Sequence, residues 1–203
     1  MTPVFCCAYL PPVSFFKLMV GARQVLIEQF DNYHKQTYRN RCVIATSNGA
    51  QALTVPVVRP DTPKQHMRDI RISDHGNWRH LHWNALASAY MNSPFFMYYE
   101  DDFRPIFERR QTFLVDFNME LLSVVSELTG LKTTFSLTES YTDSSDPTEV
   151  ADFRGMADPE SGPAMELKPY YQVFAQKLGF IPNLSIADLL FNLGPESLAY
   201  LKE

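Results

Sequence analysis

Residues 3–30 constrain this fold more than any other stretch. "PVFCCAYL" (3–10) is β-rich, "VSFFKLMVGA" (13–22) bunches its apolar residues as a short helix does, and "QVLIEQF" (24–30) is β-rich again. Strand, turn, helix, strand is a βαβ-like opening. A helical crossover of this kind returns the second strand parallel to the first, so the chain is set toward an α/β architecture.

The next elements extend that reading. "CVIAT" and "QALTVPV" flank Asn48-Gly49, a dipeptide that accepts the positive φ both central positions of a tight hairpin turn require. "DIRIS" (69–73) alternates like a strand with one wet face, after a loose stretch containing Pro60 and Pro63. Residues 77–93 have helical spacing, with Trp78, Leu81, Ala85 and Ala89 on one face and Pro94 beyond the end. A long helix is expected over 103–129, following Phe107, Phe113, Phe117, Leu121 and Leu128, with Gly130 as its C′ residue. Further helices are expected at 169–179, at 185–194 with Ser185 as N-cap and Asp188 completing a capping-box variant, and at 195–201. The predicted fold is α/β: one domain over residues 1–203, a mixed sheet built from 3–10, 24–30, 41–46 and 51–58, and a helical C-terminal half.

The totals exclude several classes. A chain of 203 residues, 45% hydrophobic and 13% aromatic, suits one well-buried core. No apolar run approaches the about 20 residues a membrane helix needs, so the chain is expected not to span a membrane. The apolar start lacks a basic segment and is interrupted by Pro11-Pro12, unlike a secretion signal. Cys6, Cys7 and Cys42 form no disulfide framework and no Cys-x-x-Cys pair. Reduced thiols in a cytoplasmic protein without structural zinc are the expectation. The net charge is −5, yet residues 139–168 alone carry eight acids and two bases, which leaves the rest at +1. That stretch, poor in hydrophobes, is expected to be an acidic mobile loop or lid. The nearly neutral remainder has no basic stripe, so nucleic acid is not an expected partner.

Against that neutral background "KQTYRNRC" (35–42) stands out, with Lys35, Arg39 and Arg41 at the mouth of a strand. Arginine presents planar paired donors that suit phosphate or carboxylate. Residues 39 and 41 would share a strand face about 7 Å apart. The alternative is a solvated strand entrance. His82, one helical turn after Trp78, has a titration range suited to acid–base work; the alternative is a buried histidine hydrogen-bonded beside Trp78. Glu100, Asp101 and Asp102 could meet a hard cation, or Asp102 could cap the long helix. Cys42 beside Arg41 is a possible nucleophile or a buried structural thiol. No phosphate-binding glycine loop, dinucleotide fingerprint or nucleophile elbow occurs, and no cofactor is expected.

"AYLPP" (8–12), "FDNYHKQTYRNRCVI" (30–44), "NGAQALTVPV" (48–57), "NWRHLHWNALASAYMNSPFFMYYEDD" (77–102) and "NLSIADLLFN" (183–192) together resemble the WbqC-like protein family. Members of that family often sit in gene clusters for surface-polysaccharide biosynthesis. Its acidic-aromatic-basic block falls on Asp31, Tyr33, Lys35, Tyr38, Asn40 and Arg41. Its Trp-His-Tyr helix falls on Trp78, His82 and Tyr90, followed by Ser93 and Pro94. Many relatives carry a Gln-Pro pair before the Tyr-Leu-Pro turn; here Cys7-Ala8 precedes Tyr9. The resemblance implies an enzyme of surface-polysaccharide precursor biosynthesis, in one reading a transferase, that binds an anionic activated donor such as a nucleotide-sugar or an acyl donor. It does not imply a particular reaction. The expected pocket lies beside Tyr9, with Lys35, Arg39, Asn40 and Arg41 on the anion, Tyr38 and Trp78 as stacking walls, and His82 as acid or base. The rival reading is a non-catalytic interaction protein that supports a glycan-biosynthesis enzyme.

Overall fold

The computed structural model describes residues 1–60, 62, 64–143, 150–159 and 165–203. The chain opens as its first thirty residues require: β1 (Thr2–Cys6), α1 (Val13–Met19) and β2 (Gln24–Glu28). β1 and β2 pair in parallel, with Phe5 opposite Ile27 and Cys6 opposite Glu28. Helix α1 buries Val13, Phe15, Phe16 and Met19. Apolar burial of this kind supplies most of what holds a short helix in place.

The sheet grows from two short segments, the second of them inside the stretch expected as an acidic mobile loop. β5 (Thr134–Leu137) adds in parallel to β2, and β6 (Val150–Asp152) adds in parallel to the free side of β1. The strand order is β5-β2-β1-β6, parallel throughout. β3 (Arg41–Thr46) and β4 (Gly49–Thr54), expected as members of this sheet, form an antiparallel hairpin of their own, turning at the Asn48-Gly49 signal. The hairpin docks through Ser185 N–H to the Val43 carbonyl at 2.8 Å and Ala45 N–H to the Tyr90 hydroxyl at 3.2 Å. The fold class is α/β in a single domain, with a helical C-terminal half.

Four local expectations change. Residues 69–73 form no strand; a 3-10 turn at Met67–Asp69 is followed by single bridges, Val57 to Ile72 and Arg71 to Phe113. α2 (Trp78–Tyr90) buries Trp78, His82, Leu86, Ala89 and Tyr90, while Leu81 is 59% exposed. The buried stripe follows i, i+4 steps because His82 and Tyr90 are core residues here. The long helix is two, α3 (Phe96–Glu108) and α4 (Leu114–Thr129), broken over 109–113. Gly130 ends α4 at φ 73°, as expected. Glu100, Asp101 and Asp102 therefore lie inside α3, where Asp102 caps nothing.

The tail also departs from expectation. Residues 169–179 contain only the short α5 (Ala175–Leu178). α6 (Ile186–Leu193) takes Ser185 as its cap, the hydroxyl accepting from Ala187 N–H at 3.3 Å. Asp188 does not reach back to complete a box; buried, it accepts from the Tyr170 hydroxyl at 2.6 Å and Gln172 at 2.9 Å. α7 (Ser197–Lys202) closes the chain. Of the acidic stretch 139–168, residues 150–157 are β6 and a 3-10 turn; 144–149 and 160–164 lie outside the described residues. No described helix is long and apolar enough to cross a membrane.

Candidate functional site

The strand order reverses at β1. The chain runs β1, β2, β5 toward one edge, then returns to place β6 on the other side. Open parallel sheets bind ligands beyond the C-terminal ends of their strands at such a reversal. A crevice of about 840 Å³ lies there. Phe30, Asp31 and Asn32 line it from beyond β2, Glu139, Ser140 and Tyr141 from beyond β5, and Asp152, Arg154 and Gly155 from the end of β6. His34, Arg39 and His66 complete the wall.

The floor is ionic. Glu28, the last residue of β2, is fully buried. Its Oε1 accepts from Phe30 N–H at 2.8 Å and the Thr138 hydroxyl at 2.8 Å; its Oε2 accepts from Thr142 N–H at 2.8 Å and Arg154 Nη1 at 3.4 Å. Arg154 also grips Asp152 with both edges, Nε to Oδ1 at 2.9 Å and Nη2 to Oδ2 at 2.6 Å, and lies 4.7 Å from the Tyr141 ring centre. A planar guanidinium held on several sides has one orientation, which lysine would not give.

Arg39 and Asp31 form the second buried pair. Arg39 Nε donates to Asp31 Oδ2 at 3.2 Å, and Nη2 makes a shorter contact with the same oxygen. Burial pushes the Asp31 carboxyl up, opposed in part by Arg39. Asp31 Oδ1 is buried with no hydrogen-bond partner among the described residues. A buried acceptor without a donor is costly, so such atoms merit a reason. In a crevice, a ligand donor would supply one.

The residues singled out from sequence are dispersed. Arg39 lines the crevice but is committed to Asp31. Lys35 is exposed and lines a separate hollow with Tyr33, Arg59 and Gln65. Arg41 begins β3, half-buried, and donates to the Thr54 hydroxyl at 3.2 Å across the hairpin. Asn40 is buried and donates to the Val55 carbonyl at 2.9 Å. Half-buried Tyr38 meets the Phe15 ring edge-on. The close sequence spacing of these residues is undone by the turn into β3, which sends successive side chains in different directions.

His82 belongs to the core. It is 6% exposed and shares a 3.0 Å hydrogen bond with the hydroxyl of fully buried Tyr9. The rings stack at 5.7 Å, and buried Trp78 meets His82 edge-on at 5.1 Å. Burial lowers the His82 pKa to about 4, so the ring is neutral near pH 7. An acid–base role needs access to a reacting group, and His82 lines neither the sheet-edge crevice nor the Lys35 hollow. The alternative weighed from sequence, a buried histidine beside Trp78, describes its surroundings. Cys42 is likewise buried, its thiol pushed up to about 12 by desolvation, which removes the thiolate a nucleophile needs.

The Tyr9-Leu10-Pro11 turn, expected as a pocket wall, is internal. Buried Leu10 holds φ 39°, a left-handed conformation unusual for leucine. Ser185 Oγ–H to the Leu10 carbonyl and Tyr9 N–H to the Tyr38 carbonyl hold it in place. Cys7 and Ala8, which stand in place of a Gln-Pro pair, are buried as well.

Glu28, His34, His66, Tyr141, Asp152 and Arg154 were not singled out from sequence. One signal did exist: a carboxylate ending a β-rich run in line with a sheet's C-terminal edge marks the usual place for a polar site.

These features define an α/β protein with a polar crevice at the carboxyl edge of a parallel sheet. The sequence model of the WbqC-like protein family matches residues 7–154, so the chain belongs to that family. It is also 29% identical to a protein of Mycobacterium tuberculosis described as "Uncharacterized protein Rv1507c", over 96% of this chain and 94% of the relative. No solved structure matches.

Proposed function

We propose that this chain is an enzyme of surface-polysaccharide precursor biosynthesis that binds an activated donor, a nucleotide-sugar or an acyl donor, in the crevice at the carboxyl edge of the sheet. The supporting observation is the pair of oriented guanidiniums, Arg39 and Arg154, beside the partnerless Asp31 Oδ1 in a crevice of about 840 Å³. That volume lies within the range of small-ligand sites. Arg154, and the edge of Arg39 not taken by Asp31, would meet the anionic part of the donor. Asp31 and Glu139 would accept from sugar hydroxyls, with Tyr141 and Phe30 as apolar walls. Family membership supports the setting, since WbqC-like proteins occur in polysaccharide-related loci. Exposed His34 and His66, at the rim of the same crevice, would hydrogen-bond the donor's anionic group from the open side, as a transferase site holding one activated molecule needs.

The test is a thermal-shift screen against nucleotide-sugars and acyl donors. One donor class should raise the melting temperature in proportion to the logarithm of its concentration, as mass action requires. No shift across both classes would overturn the reading.

A second reading, a non-catalytic interaction protein, draws support from Met91, Met97 and Tyr98. They are 60%, 75% and 75% exposed and lie close together in sequence about the α2–α3 connection. A glycan-biosynthesis enzyme that bound the wild type but not Met97→Ser would favour it.

A further inference from the structure

A second cleft, of about 440 Å³, lies where the start of α2 meets the end of α3. Its cations are Arg79, Arg104 and Arg110, and its carboxylates are Asp74 and Glu108. Cations exceed carboxylates by one. The carboxylates do not consume all the donors. Arg104 gives Nε to Glu108 at 2.7 Å, and Arg110 only approaches Asp74, at 3.8 Å. Both arginines are exposed.

The deeper donors are unmet. Trp78 lines the cleft, is 5% exposed, and its buried Nε1–H has no acceptor among the described residues. Arg79 donates Nη1 to Asp74 at 2.5 Å and Nη2 to the Gln111 carbonyl at 3.2 Å, while its buried Nε–H has no acceptor among the described residues. The Arg79 guanidinium lies 4.6 Å from the Trp78 ring centre, so the two residues with unmet donors pack against each other. Buried N–H groups are rarely left unpaired, and an anion would satisfy both. No side chain caps α2 at Asn77, another lining residue. The end of α3 lies alongside, so the two helix dipoles offset one another and the case rests on the side chains. Half-buried Trp83, 6.0 Å from the Phe107 ring, provides a flat apolar wall.

We infer that this cleft is an oxyanion-binding site for a phosphorylated small molecule with a flat or apolar body. Arg104, Arg110 and the Trp78 and Arg79 N–H groups take the phosphate, and Trp83 takes the body. The site is separate from the sheet-edge crevice, with which it shares no lining residue, and it stands whatever the crevice binds.

The two tryptophans of the chain both line this cleft, so intrinsic fluorescence reports on it directly. The probes are inorganic phosphate and phenyl phosphate, titrated at low ionic strength. The inference expects saturable fluorescence changes, with phenyl phosphate the tighter ligand. It expects at least about tenfold weaker phenyl phosphate binding in the double variant Arg104→Gln/Arg110→Gln, the loss of about 1.4 kcal/mol. Both substitutions are at exposed positions, so the fold is retained. Trp78→Phe, which keeps a ring and removes the N–H, should weaken binding in the same direction, read on Trp83. Absence of a saturable change with either probe up to the millimolar range would overturn the inference. So would equal affinity in wild type and the double variant.

Discussion

Arg154 Nη1 donates to Glu28 Oε2 at 3.4 Å, tying the chain two residues beyond β6 to the last residue of β2 across 126 positions of sequence. Glu28 is fully buried and the Arg154 side chain is 10% exposed. The contact passes over the end of β1, which lies between those strands.

Arg154→Met should therefore destabilise the protein by about 3 kcal/mol. Removing one partner of a buried ion pair strands the other, at about 3–5 kcal/mol. Three other donors remain on Glu28, which favours the lower figure. Urea denaturation checks it. A loss below about 1 kcal/mol, the scale of an exposed pair, would show that the contact does not clamp the sheet.

Arg39 and Asp31 should behave as a coupled unit. Arg39→Met and Asp31→Leu alone each leave a buried charge and should each cost about 3 kcal/mol, whereas the double variant should recover most of that loss. Additive losses in the cycle would contradict a mutually dependent pair. This separates the cations of "KQTYRNRC": Arg39 holds the fold, while Arg41→Ala, exposed at its contact with Thr54, should change stability by less than about 0.5 kcal/mol.

His82 imposes a pH dependence whose sign follows from its lowered pKa. The folded protein binds this proton only near pH 4, while the unfolded chain binds it from about 6.5. The unfolded state thus holds more protons between those values, and stability falls as pH is lowered through them, by at most about 1.4 kcal/mol per pH unit. Asp31 and Asp188, both raised by burial, act in the opposite sense at their acidic end. The difference between wild type and His82→Gln isolates the histidine. Its urea midpoints, plotted against pH, should show the slope in wild type alone. Parallel curves would mean that His82 is charged, or reachable by water, in the folded state.

Much of the fold was legible because its signals are local. The βαβ opening, the Asn48-Gly49 hairpin, the Ser185 cap and the Gly130 stop each depend on a few adjacent residues. β5 and β6 were not, because Thr134–Leu137 and Val150–Asp152 are four and three residues long and become strands only by pairing with β2 and β1. The break between α3 and α4 was hidden because Arg109, Arg110 and Gln111 suit a helix interior. The site was less legible than the fold. Arg39 and Arg41 look equivalent in sequence, and only the distant Asp31 and Thr54 contacts distinguish them. His82 carries the residue type of a catalyst, but buried Tyr9 and Trp78 pack against its ring.

The sheet-edge crevice is the proposed binding place of the activated donor. Calorimetric titration of the donor found by thermal shift, into wild type and into His34→Ala/His66→Ala, tests it most directly. Both histidines are exposed crevice residues, so their loss should leave the fold intact. Binding should be at least about tenfold weaker in that variant, about 1.4 kcal/mol, and unchanged in Arg104→Gln/Arg110→Gln. Equal affinity in wild type and the histidine variant, with binding lost instead in the arginine variant, would contradict it.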